Sequence, residues 1–301
     1  MTALGLRPYA PGDAPAEGAV AVSVVVLTKN EAVNIERCLA SVRWAEQVVV
    51  LDSGSTDDTV LLAKAAGAEV VEELWHGYGR QRELALRLPV LRHDWVYFVD
   101  ADEWVSPGLA AEIAGTLRDP QHHAYAHRFR VVFLGRWIRH CGWYGGSWIV
   151  RLMRRSAVRF GDETAGERVQ VDGVGRLRHD IVDHDLKGLA AWLHKHVGYA
   201  ELEASRQSGA APLAQRWRVA QRWRTFRAGR SHDTRPLLRA VAKDLVLPLV
   251  PARPLVVFCY MYLLRLGFLD GVPGLLFCLY HAWYRVTIEA LHHPDATAPA
   301  R

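Results

Sequence analysis

From residue 22 to about residue 99 the chain alternates short apolar runs with stretches whose apolar residues recur at helical spacing, the pattern of βαβ units. Residues 22–27 predict a buried strand, followed by a helix through Ile35 and Leu39. Residues 47–51 predict a second strand. Ser55-Thr56-Asp57-Asp58 then has the form of a capping box that opens a helix carrying Val60, Leu61 and Lys64. Residues 68–71 predict a third strand, 79–88 another helix and 95–99 a fourth strand. Further on, residues 125–133 alternate like one strand, Gly142-Trp143-Tyr144-Gly145-Gly146 reads as a loop, and 149–153 is strand-like again. Beyond Asp185 the period turns helical, with Leu189, Trp192, Leu193 and His196 on one face.

The polar clusters fall at telling places on this pattern. Lys29-Asn30-Glu31 follows the first strand, Asp52-Ser53-Gly54-Ser55 the second, and Asp100-Ala101-Asp102-Glu103 the fourth. Parallel strands of a doubly wound sheet end on one edge, where such sheets bind ligands, so three clusters distant in sequence are expected to line one crevice. Carboxylates two residues apart at such an edge are hard oxygen ligands suited to a divalent cation on a diphosphate. No G-x-G-x-x-G or G-x-x-x-x-G-K-[ST] turn follows any of these strands, which argues against a dinucleotide-binding dehydrogenase or a P-loop kinase. If a nucleoside diphosphate binds, its charge needs a metal, and oxygen-only ligation suits Mn²⁺ or Mg²⁺ mounted on Asp102 with help from Asp100.

Composition changes the picture in two ways. Half of the 301 residues are hydrophobic, enough for a sizeable core, and the four cysteines form no C-x-x-C pair, which points to reduced thiols rather than a disulfide framework or zinc knuckle. The net charge of +5 is local in origin, because nine Arg and Lys residues between Gln215 and Lys243 are opposed by Asp233 alone. Trp217 and Trp223 within that block raise single-stranded nucleic acid as a ligand, but no nucleic-acid module accompanies them. Two interrupted apolar runs follow, 255–264 and 272–284, and neither reaches the roughly 18 to 20 residues that span a bilayer. A cationic block beside incomplete apolar helices fits an anionic membrane surface better than nucleic acid; whether the apolar runs lie on the bilayer or enter it stays open. The first twenty residues, rich in Ala, Pro and Gly, read as a loose tail rather than a secretory signal.

Ser23 to Glu31 with Thr28-Lys29-Asn30-Glu31, Val49 to Thr59 with Asp52-Ser53-Gly54-Ser55, and Phe98-Val99-Asp100-Ala101-Asp102-Glu103 resemble, in order and spacing, the successive signatures of family-2 glycosyltransferases with a GT-A fold. Arg139-His140-Cys141-Gly142-Trp143-Tyr144, Val150-Arg151-Leu152-Met153-Arg154-Arg155, the stretch from Phe160 to Val169, and Leu263-Leu264-Arg265-Leu266-Gly267-Phe268-Leu269-Asp270-Gly271 resemble the branch that includes lipopolysaccharide-core β-1,4-glucosyltransferases. The resemblance implies an α/β fold with a Rossmann-like, mostly parallel sheet flanked by helices and a C-terminal helical, membrane-associating appendage. The corresponding division is a tail over 1–20, a catalytic domain over 21–190, a basic and amphipathic helical region over 191–291, and a tail over 292–301.

Carried over by position, the resemblance implies that Thr28 and Glu31 border the nucleotide, Asp52 bonds the uracil ring, Asp100 lies near the ribose and Asp102 holds the metal. Plainer readings exist: Thr28 and Glu31 as helix caps, Asp52 as a turn residue, Lys29 as a surface charge. Inverting transfer needs a base, for which Glu167 is the candidate and Asp162 the alternative. Gly166 stands where related sequences carry a His, and Glu167 pairing with Arg168 is the structural alternative. His184 matches a His of the relatives and is a candidate contact to the diphosphate or acceptor. The implied activity is inverting, metal-dependent transfer of a hexose, with glucose the expected one, from a UDP-sugar to a lipopolysaccharide core or related lipid-linked glycan, by a peripheral protein on the cytoplasmic face of the inner membrane. A polyprenyl-phosphate sugar synthase and a non-catalytic membrane-anchored binding module are the rivals.

Overall fold

The computed structural model describes residues 20–144, 148–160, 169–209 and 253–292. Asp162, Gly166, Glu167, the loop glycines Gly145 and Gly146, the basic block between Gln215 and Lys243, and both expected tails apart from Val20, which opens the first strand, and His292 lie outside the described residues. The chain divides into two units, one of Met1–Arg139 with Trp143–Gly188 and the other of His140–Gly142 with Leu189–Arg301.

The first unit is built on a seven-stranded sheet. Its strands are β1 (Val20–Thr28), β2 (Ala45–Asp52), β3 (Glu69–Glu72), β4 (Trp95–Asp100), β6 (Ala124–His127), β9 (Ile149–Arg154) and β12 (Gly175–Arg176), in spatial order β12-β6-β9-β4-β1-β2-β3. Strands β4, β1, β2 and β3 run parallel, as does β12 beside β6, while β9 is antiparallel to both its neighbours. The α/β class and the mostly parallel, helix-flanked sheet therefore match expectation. β5 (Glu103–Trp104), β13 (Ile181–Asp183), β7 (Phe129–Phe133) and β8 (Arg136–Trp137) form a second sheet, in spatial order β5-β13-β7-β8, and β10 (Arg159–Phe160) pairs with β11 (Val169–Gln170).

Why these residues make a central sheet follows from the pleat. Successive strand residues face opposite sides, and a strand covered on both sides is apolar throughout. On β1, Val22, Val24 and Val26 enter one core with Ile35 and Leu39 of α1 (Ile35–Ser41). Val25 enters the other, with Val49, Phe98 and Leu86 of α3 (Tyr78–Leu86). Helix α4 (Pro107–Arg118) adds Leu109 and Ile113 to the first core; its start is marked by Pro107 and by the Ser106 side chain accepting from Leu109 N at 3.3 Å.

Two local expectations are corrected. The single strand over 125–133 is two strands in different sheets, because Arg128 interrupts it and turns toward Asp180, with Nε to Oδ1 3.2 Å. Ser55 does not cap the next helix: its hydroxyl serves Asp52, and α2 (Thr59–Ala65) starts four residues later, where Asp57 accepts from Thr59 N at 3.1 Å.

In the second unit, α5 (Gly188–Gly209) contributes its part from Leu189 onward, together with α6 (Arg253–Cys259), a π-helical turn Tyr260–Leu264, a 3₁₀ turn Gly267–Asp270 and α7 (Gly271–Ala290). Among the described residues no single helix is long and apolar enough to cross a membrane; Arg253–Leu264 and Gly267–Ala290, bent by 72°, meet that measure only as a pair.

Candidate active site

Register places the acidic clusters on one sheet edge. Thr28 pairs with Asp52 across β1 and β2, and Leu27 pairs with Asp100 across β1 and β4. Asp52 and Asp100 thus sit two strand spacings apart, roughly 10 Å, on either side of the end of β1. Paired residues of a parallel sheet share a face and successive residues alternate, so Asp52 leaves the edge on Thr28's side and Asp100 on the other. A ligand touching both must lie across the carboxyl end of β1, where open α/β sheets bind theirs.

Asp52 is 1 % exposed and fully engaged. Its Oδ1 accepts from Thr28 Oγ1 at 2.9 Å and from Ser55 Oγ, and its Oδ2 accepts from the backbone of Gly54 at 3.0 Å and Ser55 at 2.8 Å. A carboxylate has about four acceptor positions, and all four are used. Gly54, at φ 80°, supplies the left-handed turn that aims these amides inward. The next loop is tied to β1 through Asn30: its amide donates to Ser55 Oγ at 2.8 Å and its Oδ1 accepts from Thr56 N at 2.7 Å, with Asn30 itself at φ 55°.

Asp100 is held by two buried arginines. Arg82 Nη2 on α3 donates to Oδ1 at 2.8 Å, and Arg151 on β9 donates from Nη2 to Oδ2 at 2.6 Å and from Nη1 to Oδ1 at 3.3 Å. Arg151 also meets Glu103 Oε1 at 3.4 Å, while Glu103 Oε2 accepts from Asp100 N at 2.9 Å. Burial pushes the Glu103 carboxyl well above the ordinary carboxylate range, and the charge of Asp100 adds to this.

Asp102 lies in the turn after β4. Its carbonyl accepts from His184 N at 3.0 Å and from Arg37 Nη2 at 3.4 Å, and this brings His184, just past β13, beside the acidic turn. Arg37 Nη1 is 3.2 Å from His184 Nδ1. Guanidinium nitrogens only donate, so Nδ1 accepts and the imidazole proton sits on Nε2. Burial lowers the His184 pKa and the Arg37 charge lowers it further, keeping the ring neutral. Glu31 completes the rim: it accepts from Lys187 Nζ at 2.5 Å and from Asn34 Nδ2 at 2.7 Å. Burial raises its pKa against these two bonds, helped by the negative charge of Asp102 nearby.

The structure therefore brings Thr28 to Asp52, His184 to the backbone of Asp102, and Glu31, Asp52, Asp100 and Asp102 to one edge. Sequence reasoning missed Arg37, Arg82 and Lys187 entirely. Arg151 appears there only within a quoted motif, and no signal in periodicity marks it as the partner of Asp100. Among the described residues no group of three or more His, Cys, Asp or Glu side chains forms a metal site. The donor set nonetheless fits Mn²⁺ or Mg²⁺ shared with a substrate, since such ions bind through one or two carboxylates and take phosphate oxygens for the rest. Both oxygens of Asp100 are already engaged by guanidinium groups.

Residues 23–166 match the profile described as Glycosyl transferase family 2. This segment, which carries the edge just described, is a family-2 glycosyltransferase domain. Within that class, an uncharacterized glycosyltransferase of Rickettsia prowazekii is 43 % identical over 117 residues, covering 38 % of this chain and 39 % of its own length. A lipopolysaccharide core biosynthesis glycosyltransferase, LpsC of Rhizobium meliloti, is 31 % identical over 93 residues, covering 29 % of this chain and 34 % of its own. The chain thus spans about two fifths of the length of the Rickettsia relative and a third of LpsC. Glucosyl-3-phosphoglycerate synthase from Mycobacterium tuberculosis, solved with Mn²⁺, UDP and phosphoglyceric acid, is 28 % identical with a TM-score of 0.33, over 42 % of this chain and 50 % of that one.

Proposed function

We propose that this protein is an inverting glycosyltransferase that uses Mn²⁺ or Mg²⁺ to move a hexose, glucose in this reading, from a UDP-sugar to a lipopolysaccharide core or related lipid-linked glycan at the cytoplasmic face of the inner membrane. The observation that carries the reading is the convergence of Asp52, Asp100 and Asp102 on the carboxyl edge of β2 and β4 within the family-2 domain. The likeness to LpsC supports the choice of acceptor.

The chain's own groups have separable tasks. Asp100, immobilised by Arg82 and Arg151, presents its carboxylate toward the ribose hydroxyls. Asp102 holds the cation, whose chemistry when bound is to offset charge on the departing UDP. His184, with its proton on Nε2, offers a hydrogen-bond donor to a phosphate oxygen. Asp52 meets the uracil ring only if Ser55 or Thr28 gives up its bond; otherwise it shapes the loop that the base lies against. Glu167, or Asp162 in its place, takes the proton of the acceptor hydroxyl as that oxygen bonds to the anomeric carbon and the bond from that carbon to UDP breaks.

The test is a screen of UDP-sugars against truncated core acceptors of increasing length, read by mass spectrometry, alongside UDP titration with and without Mn²⁺. A mass gain of one hexose on a core acceptor and metal-dependent UDP affinity are expected. Transfer to polyprenyl phosphate instead would move the assignment to a lipid-phosphate sugar synthase, and metal-independent or absent UDP binding would remove the transferase reading.

A further inference from the structure

The second unit is tightly built on the inner side of its bend and almost wholly apolar on the outer side. Inside, Asp270 is 2 % exposed and takes two bonds from His140, from the backbone N and from Nδ1, each 2.8 Å. Cys141 and Cys278 touch at 3.4 Å, and Gly274 packs so closely on the carbonyl of Gly267 that a methyl group there has no room. Leu266 occupies the left-handed region at φ 59°, uncommon for a residue other than glycine, with its backbone bonded on both sides, N to Leu263 O and O from Leu269 N. The bend is therefore a fixed corner between α6 and α7.

Outside, this corner exposes Leu263, Leu264, Leu266, Phe268, Leu269 and Val272, with Leu264 at 75 % and Val272 at 67 %. The surface continues along α7 as Val272, Leu279 and Val286, which are exposed and seven residues apart and so lie on one helix face. Beside Leu279, an apolar groove between α5 and α7 is lined by Leu193, His194, Val197, Tyr280 and Trp283. A contiguous apolar surface of this kind marks an interaction site. The one charged side chain exposed on the corner is Arg265, which lies over Gly142, its Nε 2.9 Å and its Cγ 3.1 Å from where a Cβ would stand.

The geometry points to a lipid bilayer carrying anionic headgroups as the partner, with the corner Leu263–Val272 dipping into the interface, α7 lying along it, and Arg265 meeting a headgroup phosphate. Charge complementarity selects this occupant: the cation of the corner is a long side chain with an apolar stem, and the sequence between Gln215 and α6 carries nine Arg and Lys against two Asp. Large apolar residues on a helix face next to basic residues are what an interfacial helix requires. This deepens the lipid-linked acceptor reading and names the surface that delivers the domain to it.

Flotation of the full chain with phosphatidylcholine vesicles, with and without phosphatidylglycerol, tests it. The wild type is expected to float with the anionic vesicles. Leu264→Glu combined with Phe268→Glu is expected to reduce partitioning at least about tenfold, while Leu61→Glu, an exposed leucine of α2, floats as wild type. Thermal melting and metal-dependent UDP binding are expected to be unchanged in all three. Equal flotation of the corner variant and the wild type overturns the proposal. So does a lower melting temperature of that variant, which would mean the chain's own residues cover the face, or a change in oligomeric state, which would mean a second copy does. Loss of UDP binding in every protein with flotation intact would sink the transferase reading and leave this one standing.

Discussion

Arg151 and Asp100 face each other as a two-nitrogen pair, 2.6 Å and 3.3 Å, between antiparallel neighbours β9 and β4. The guanidinium is buried while the carboxylate is half-open, so the arginine acts as a fixed backing that aims Asp100 outward. Arg151→Ala leaves Glu103 and Asp100 facing each other with one cation fewer, and losing a hydrogen-bonded partner of charged groups costs about 1.5–3 kcal/mol. Urea denaturation is expected to show that loss together with weaker UDP binding. Arg151→Lys recovers part of the stability but little of the binding, because an ammonium cannot reproduce the fork. Wild-type UDP affinity in both variants would show that Asp100 needs no such backing.

Asp102→Asn removes the charge proposed to hold the cation while keeping the side chain's shape. Transfer is expected to fall nearly to zero with the circular dichroism spectrum unchanged, and UDP affinity is expected to stop responding to Mn²⁺. Glu167→Gln is expected to reduce turnover about 10²–10⁴-fold, the usual worth of a positioned base, with UDP-sugar binding intact. Activity equal to wild type in either variant would take that residue out of the mechanism.

Asp52 separates two roles that a binding assay alone confuses. With four internal donors on its carboxylate, Asp52→Asn turns an amide NH₂ toward either the Gly54 and Ser55 amides or the Thr28 and Ser55 hydroxyls. Stability is expected to drop by about 1–3 kcal/mol along with UDP affinity, because the loop over 53–56 loses its anchor. A fall in affinity at unchanged stability would instead indicate direct contact with the base.

How far the sequence speaks depends on what each signal encodes. Strands β1, β2 and β4 are legible because burial on both faces leaves apolar runs, and Asp52, Asp100 and Asp102 are legible because their short motifs sit at strand ends. The arginines are not. Arg82 lies on a helix and Arg37 on another, where a charged residue reads as solvated until a distant group, the Asp100 carboxylate for Arg82 and the Asp102 backbone carbonyl for Arg37, is seen to claim it. The split of residues 125–133 is hidden for the same reason: it depends on Asp180, 52 residues from Arg128, and alternation alone carries no trace of that partner.

His127 makes the stability of the first unit depend on pH in a calculable direction. It is fully buried between Tyr97, whose hydroxyl is 3.0 Å from Nε2, and the Arg128 carbonyl, 3.1 Å from Nδ1. The carbonyl can only accept, so Nδ1 donates and Nε2 accepts from Tyr97, a neutral ring with both nitrogens satisfied. Burial pushes its pKa down to about 4, against about 6.5 in an unfolded chain. Above pH 6.5 neither state binds the proton and the stability is complete. As pH falls from 6.5 toward 4 the unfolded chain takes up a proton that the folded one refuses, and about 3 kcal/mol is lost. His127→Asn is expected to be less stable than wild type at pH 7.5, having lost packing and a hydrogen bond, yet to lose less on acidification. Denaturation curves at intervals from pH 7.5 to 4 decide it, since the difference between the two proteins isolates His127 from other buried imidazoles such as His281. Parallel pH profiles would mean that the ring takes its proton inside the folded unit without penalty.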